Sequence, residues 1–154
     1  MKILKYKFKD SEHFIKYINS QKDEVEIRSR DDALPELANS IKLLIPFVYE
    51  ICEIPQENEI TVSGISISRN EDSNGDEIIG AVIVAQKKLL RSTGIINIVT
   101  PHRIEAFYSE HGDEGQLMPD DMIEAILEIE FRVKDFIQGK RAQQELFPQA
   151  ENAA

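Results

Sequence analysis

The sequence predicts a single α+β domain. Its antiparallel sheet is built on a hairpin over 59–86 and a strand at 95–99, packs against two or three helices, and is followed by a flexible C-terminal tail. Three observations predict this. Residues 59–86 carry strand-type apolar residues on either side of Ser73-Asn74-Gly75-Asp76, and Asn-Gly is the strongest short hairpin signal. Two stretches, about 32–52 and 121–137, repeat apolar residues at three- and four-residue spacing, which is one face of a helix. The chain has 154 residues, 42% apolar and 30% charged, enough to bury a core without disulfides or metals.

The elements follow in chain order. Residues 3–9 read as a strand with Leu4, Tyr6 and Phe8 on one face and Lys5, Lys7 and Lys9 on the other. The Lys row guards an edge against strand pairing. It is not read as a nucleic-acid patch, because no aromatic interleaves with it. Asp10 or Ser11 is expected to cap a short helix to about Asn19, with His13 at its surface. Val25 and Ile27 mark a short strand. The long helical pattern runs through Leu34, Leu37, Ala38, Ile41, Ile45, Val48 and Cys52, with Asp31 or Asp32 as cap and Pro35 in the first turn. Pro46 removes an internal hydrogen bond, so this helix should split near Leu44–Pro46.

In the hairpin, Ile60 and Val62 are in one phase and Ile65 and Ile67 in the other. Gly64 stands at the switch and predicts a bulge. The Asn-Gly turn predicts a type I′ geometry with positive φ at both central residues. Ile78–Ala85 is apolar on both faces and belongs at the covered centre of the sheet. Residues 100–119 read as a loop with a short strand or turn at Arg103–Tyr108. The last helix starts after Pro119, where Asp121 and Glu124 match a capping box. Its stripe is Ile123, Ile126, Ile129, Val133, Phe136 and Ile137, and Gly139 is its stop. Residues 1–139 are therefore taken as the domain and 140–154 as a disordered or weakly helical tail.

Charge is unevenly spread. Residues 1–30 hold eight Lys/Arg against five Asp/Glu, and residues 31–154 hold ten against twenty-three, giving the net −10. Such a field repels nucleic-acid phosphates, so direct nucleic-acid binding is not expected. No apolar run is long enough for a membrane span, and the N-terminus lacks the apolar core of a signal peptide. The single cysteine, Cys52, allows no disulfide within the chain. A cytoplasmic protein is expected.

No catalytic motif stands out, and no cofactor or metal is expected. There is no phosphate-binding G-K-[ST] loop, no H-E-x-x-H and no G-x-S-x-G. Cys52 reads as an inert packed thiol. Asp72-Ser73-Asn74-Gly75-Asp76 lacks the downstream Glu of a calcium loop. Glu110-His111-Gly112-Asp113-Glu114 offers ligand atoms at a spacing that fits no calcium or zinc loop. An enzyme would need a pocket assembled from His102, His111 and acids far apart in the chain. Nine acids and no base lie between Arg103 and Arg132, which admits a DNA-mimicking inhibitor as an alternative.

The sharpest signal is Gln143-Gln144-Glu145-Leu146-Phe147. It resembles the linear motif by which bacterial proteins dock on the DNA sliding clamp, a pentapeptide of the form Q-x-[SD]-L-F. Gln143, Leu146 and Phe147 match its most constrained places. Glu145 replaces the small or acidic residue, and Gln144 a commonly preferred Leu, which weakens binding. The resemblance covers five residues and implies a protein partner, the sliding clamp. With the acidic amphipathic helix before it, this ending is also similar to those of small bacteriophage and prophage accessory proteins. The expectation is a non-enzymatic accessory protein acting on replication or recombination, with a homo-oligomer gaining avidity. The competing expectation is that Leu146 and Phe147 fold back on the domain as an apolar anchor.

Overall fold

The computed structural model describes residues 1–108 and 112–142. Its strands are β1 (Lys2–Lys9), β2 (Glu12–Ile18), β3 (Glu24–Ser29), β4 (Ile60–Glu71), β5 (Glu77–Lys88), β6 (Ile95–Val99) and β7 (Arg103–Ile104). Its helices are α1 (Pro35–Lys42), α2 (Ile45–Cys52) and α3 (Met122–Ile137). The seven strands form one antiparallel sheet in the order β3-β2-β1-β4-β5-β6, with β7 beside β6 along the outer side of β5. One sheet face carries the core. Ile3, Tyr6, Ile15, Ile65, Ile67, Ala81 and Ile83 meet Leu37, Ile41 and Val48 of the split helix and Ile126, Ile129, Val133 and Phe136 of α3. The fold is α+β, as the sequence predicts. No helix among the described residues is long and apolar enough to cross a membrane.

The largest departure lies at 11–19, which is a strand and not a helix. Asp10 and Ser11 both have positive φ (54° and 60°) and form a two-residue turn that pairs Lys9 with Glu12. The residues expected to cap a helix therefore make the tight hairpin turn whose twist suits antiparallel strands. His13, Ile15 and Tyr17 then point inward and Phe14, Lys16 and Ile18 outward, the period of a strand. In β1 the pairing shifts between Ile3 and Lys5. The shift puts Ile3 rather than Leu4 into the core beside Tyr6, while Phe8 is left exposed.

The Asn-Gly hairpin is where the sequence places it but has another geometry. Only Gly75 has positive φ (82°), Asp72 N–H donates to Asp76 O, and Gly75 N–H donates to Asp72 O. The Asp72 carboxylate also accepts from the N–H groups of Asn74 and Asp76. This is a three-residue loop with a glycine bulge, which needs one left-handed residue and not two. The bulge at Gly64 is present, because the register steps from Val62↔Ala85 to Gly64↔Val84. Ile65 and Ile67 thereby reach the core face. Gly64 is also required by crowding, since a Cβ there would lie 2.6 Å from the Tyr6 carbonyl oxygen.

Capping differs from expectation at both predicted sites. α1 starts at Leu34 and Pro35 without a side-chain cap, and Asp121 has φ 69° and makes no cap bond. An N-cap needs extended backbone to aim its oxygen at the helix, and Asp121 is left-handed. The C-terminal stop holds. Gly139 has φ 94°, its N–H donates to Phe136 O, and Lys140 N–H donates to Asp135 O, a Schellman closure. Arg141 and Ala142, expected to lie in the tail, are half-buried against the domain, while Lys140 is exposed. Arg141 bridges Ala33, and Ala142 N–H donates to Asp32 O at 2.9 Å.

Two substitutions test these turns. Ser11→Gly should raise the melting temperature by about 1–3 °C, because glycine relieves the left-handed strain. Gly64→Ala should cost about 1–3 kcal/mol by pushing β1 from β4. Unchanged melting of Gly64→Ala would contradict the close approach at the bulge.

Candidate functional site

The described residues form a mainly apolar groove of about 510 Å³ between α1 and the sheet end formed by β1, β2 and β4. Leu37, Ile41 and Val62 line its walls, and Tyr6 and His13 are buried beneath it. Phe8 and Leu34 border it while remaining exposed by 46% and 37%. The connection from β3 to α1 supplies Arg30, Asp31, Asp32 and Ala33 as one rim.

His13 ties the groove to that rim. The Tyr6 hydroxyl lies 2.8 Å from His13 Nδ1, and the rings of Phe8 and Phe136 lie 4.6 Å from the His13 ring. Burial is the main cause that lowers the His13 pKa, opposed by a backbone hydrogen bond to Asp31. Burial also pushes the Tyr6 phenol well above its ordinary value. With both groups neutral, the phenol donates to Nδ1 and the ring proton sits on Nε2. The Asp31 carboxylate in turn holds the Arg141 guanidinium at 2.6 Å. That guanidinium stacks 4.1 Å from the Phe136 ring centre, and its Nε donates to Phe136 O. A continuous set of contacts thus runs from the core to the last described residues.

The sequence-predicted site, Gln143, Gln144, Glu145, Leu146 and Phe147, lies outside the described residues, as does His111. Its approach is described. The strand-like contact of 141–142 with 32–33 brings the chain to the groove rim at Ala142.

The other candidates separate. His13 is buried, not at the surface. His102 pairs with Ser68 at 2.8 Å over Gly80, where the absent side chain makes room for the ring. No carboxylate among the described residues hydrogen-bonds that ring. Cys52 is half-buried, and burial raises its pKa against the opposing charge of Arg103. Among the described residues no group of three or more His, Cys, Asp or Glu is placed to hold a metal. The Lys face of β1 does carry an aromatic, contrary to the sequence reading. Phe14 faces Lys7 and Arg28 in register, with Lys5 and Arg28 5.7 and 5.4 Å from its ring centre. Acids share that surface. Glu24 pairs with Lys16, and Glu12 lies 3.6 Å from Arg30, so it is a mixed-charge face.

Sequence reasoning missed the groove because its walls come from four separate segments and none carries a motif. The one available signal was the alternation of His13, Ile15 and Tyr17, hidden by the helical reading of 11–19. Comparison with protein-family models, curated proteins and solved structures finds no match.

The His13 environment predicts a pH dependence. Its pKa is lowered from 6.5 on folding, so below about pH 6.5 the unfolded chain takes up a proton that the folded chain refuses. Stability should be full above that pH and fall as pH drops through and below it. His13→Gln keeps an acceptor for Tyr6 without titrating. Melting curves at pH 7.5 and 5.5 should show a smaller loss for His13→Gln than for the wild type. An equal loss would mean that the imidazole is not held neutral.

Proposed function

We propose that this chain is a non-enzymatic accessory protein of the bacteriophage or mobile-element kind that docks on the bacterial DNA sliding clamp through Gln143–Phe147. It acts in the cytoplasm on replication or recombination. The observation that carries the reading is the Q-x-x-L-F pattern standing immediately after Ala142, whose N–H is held by Asp32 O. One feature of the described residues supports it. The helix before the motif is closed at Gly139 and cannot extend into it.

The energetics favour a weak, reversible complex. Burying Leu146 and Phe147 supplies about 3–6 kcal/mol. Gln143 adds about 1 kcal/mol of hydrogen bonding, and ordering the segment costs a few kcal/mol back. One motif should bind in the micromolar range or weaker. Two motifs in a dimer would gain avidity on a clamp with repeated pockets. The edge strand β6 suits such pairing, with Ile95, Ile96 and Val99 exposed and no charge between Ser92 and Thr100. With a net charge of −10, the chain is drawn to its site by a protein and not by DNA phosphates.

The DNA-mimic alternative has less support. Within the acid-only span, Glu130 is buried against Arg69, Glu128 pairs with Arg132, and Glu105 accepts the Ile79 N–H. These acids serve the fold or are neutralised within it.

The test is direct binding to purified clamp. The full chain should bind with a micromolar dissociation constant, and the double variant Leu146→Ala, Phe147→Ala should lose at least about a hundredfold. Its circular dichroism should match the wild type. A clamp affinity that survives the double substitution would defeat this reading.

A further inference from the structure

We propose that the apolar groove between α1 and the β1–β2–β4 end of the sheet is an intramolecular docking site for Leu146 and Phe147. The segment read as a clamp motif then has a sheltered state within its own chain. The docking stands on the groove and the path of the chain, whereas its competition with the clamp rests on the function proposed above.

The path is the first argument. Ala142 N–H donates to Asp32 O, Arg141 bridges Ala33 antiparallel, and the Arg141 guanidinium pairs with Asp31. Asp31, Asp32 and Ala33 all line the groove. Ala142 is therefore held at the groove rim, and an antiparallel continuation from it would carry the chain past Asp31 toward Arg30, also a lining residue.

Reach is the second. Leu146 is four residues beyond Ala142 and can lie up to about 14 Å from it. The eight-residue helix α1, which forms the long wall, is about 12 Å long. Leu146 and Phe147 can thus be laid into the groove without moving the anchor.

Chemistry is the third. The groove is mainly apolar, and Phe8 and Leu34 at its border are exposed by 46% and 37%. Two bulky apolar side chains in a polar segment are the complement of that surface. Arg30, held only at 3.6 Å by Glu12, offers a cation to Glu145 on the same path. Lys42 at the far end of α1 offers another.

The consequence is regulatory. If the groove holds the motif part of the time, the apparent clamp affinity is the intrinsic affinity multiplied by the fraction that is free. Any partner that fills the groove would release the motif.

The experiment uses the full chain with labelled methyl groups and rings. Nuclear Overhauser contacts from Leu146 and Phe147 to Leu37 and Val62 are expected in the free protein. Ala38 is an exposed lining residue of α1, so Ala38→Trp should fill the groove and abolish those contacts without touching the core. Leu34→Gln, at the rim, is the second variant and should weaken them. In clamp titrations Ala38→Trp should bind about three- to tenfold tighter than the wild type. Absence of the contacts in the wild type would overturn the proposal. So would contacts that appear only between differently labelled molecules, since these would assign the groove to a second copy. Contacts present with no clamp binding by wild type or variant would uphold the docking and overturn the clamp reading. Clamp binding equal in both proteins, with no contacts, would do the reverse.

Discussion

The geometry of this fold depends on a buried ion pair between Arg69 of β4 and Glu130 of α3. Each side chain is only 9% exposed. Removing charges from water is costly, and the cost is offset only when every remaining polar atom finds a partner. Here the partners are supplied. Arg69 also donates to the Ile3 carbonyl and to Glu77 at 2.8 Å, and Glu130 accepts the Ile3 N–H. A hydrogen bond from Lys2 is the main cause that holds the Glu77 carboxyl below its usual range, with Arg69 adding to it. β1, β4, β5 and α3 are thus tied at one point. Apolar packing alone would allow α3 to slide along the sheet, but a buried carboxylate with one guanidinium to meet does not.

That fixed position sets the rest of the C-terminal path. With α3 registered at Glu130, Phe136 lands against His13, and the Schellman turn at Gly139 reverses the chain toward 31–33. Arg141 then closes over Phe136 and pairs with Asp31. The groove rim and the start of the Gln143–Phe147 segment are both products of this path. A change that unpairs Glu130 would act on the groove without touching its lining.

How much of this was legible in the sequence depended on whether the deciding signal was local. The Gly64 bulge, the break at Pro46, the β6 strand and the Gly139 stop are written in short stretches and were readable. The 11–19 segment was misread because Phe14, Ile15, Tyr17 and Ile18 fit a helical face as well as a strand, and pairing with β1 on one side and β3 on the other decides for the strand. Glu130 counted as one more acid in an acid-rich span, since its partner is 61 residues away. Asp31 and Asp32 were read as helix caps because their partners, Arg141 and Ala142, are more remote still, 110 residues away. The candidate motif was legible as five residues, but not that Ala142, just before it, is held at the rim of an apolar groove.

The proposed pairing of groove and motif has a physical logic. A docking peptide with two neighbouring bulky apolar residues invites non-specific association whenever it is uncovered. An apolar groove bordered by exposed Phe8 and Leu34 has the same liability. Placed one residue beyond the Ala142 anchor, each can cover the other. The tether gives this internal contact a high effective concentration, so a few apolar contacts suffice to populate it. The same argument limits its strength. The internal contact offers Leu146 and Phe147 little that a clamp pocket would not, so neither state can greatly outweigh the other. A motif held in this way is soluble when alone and still available to a partner that presents several pockets at once.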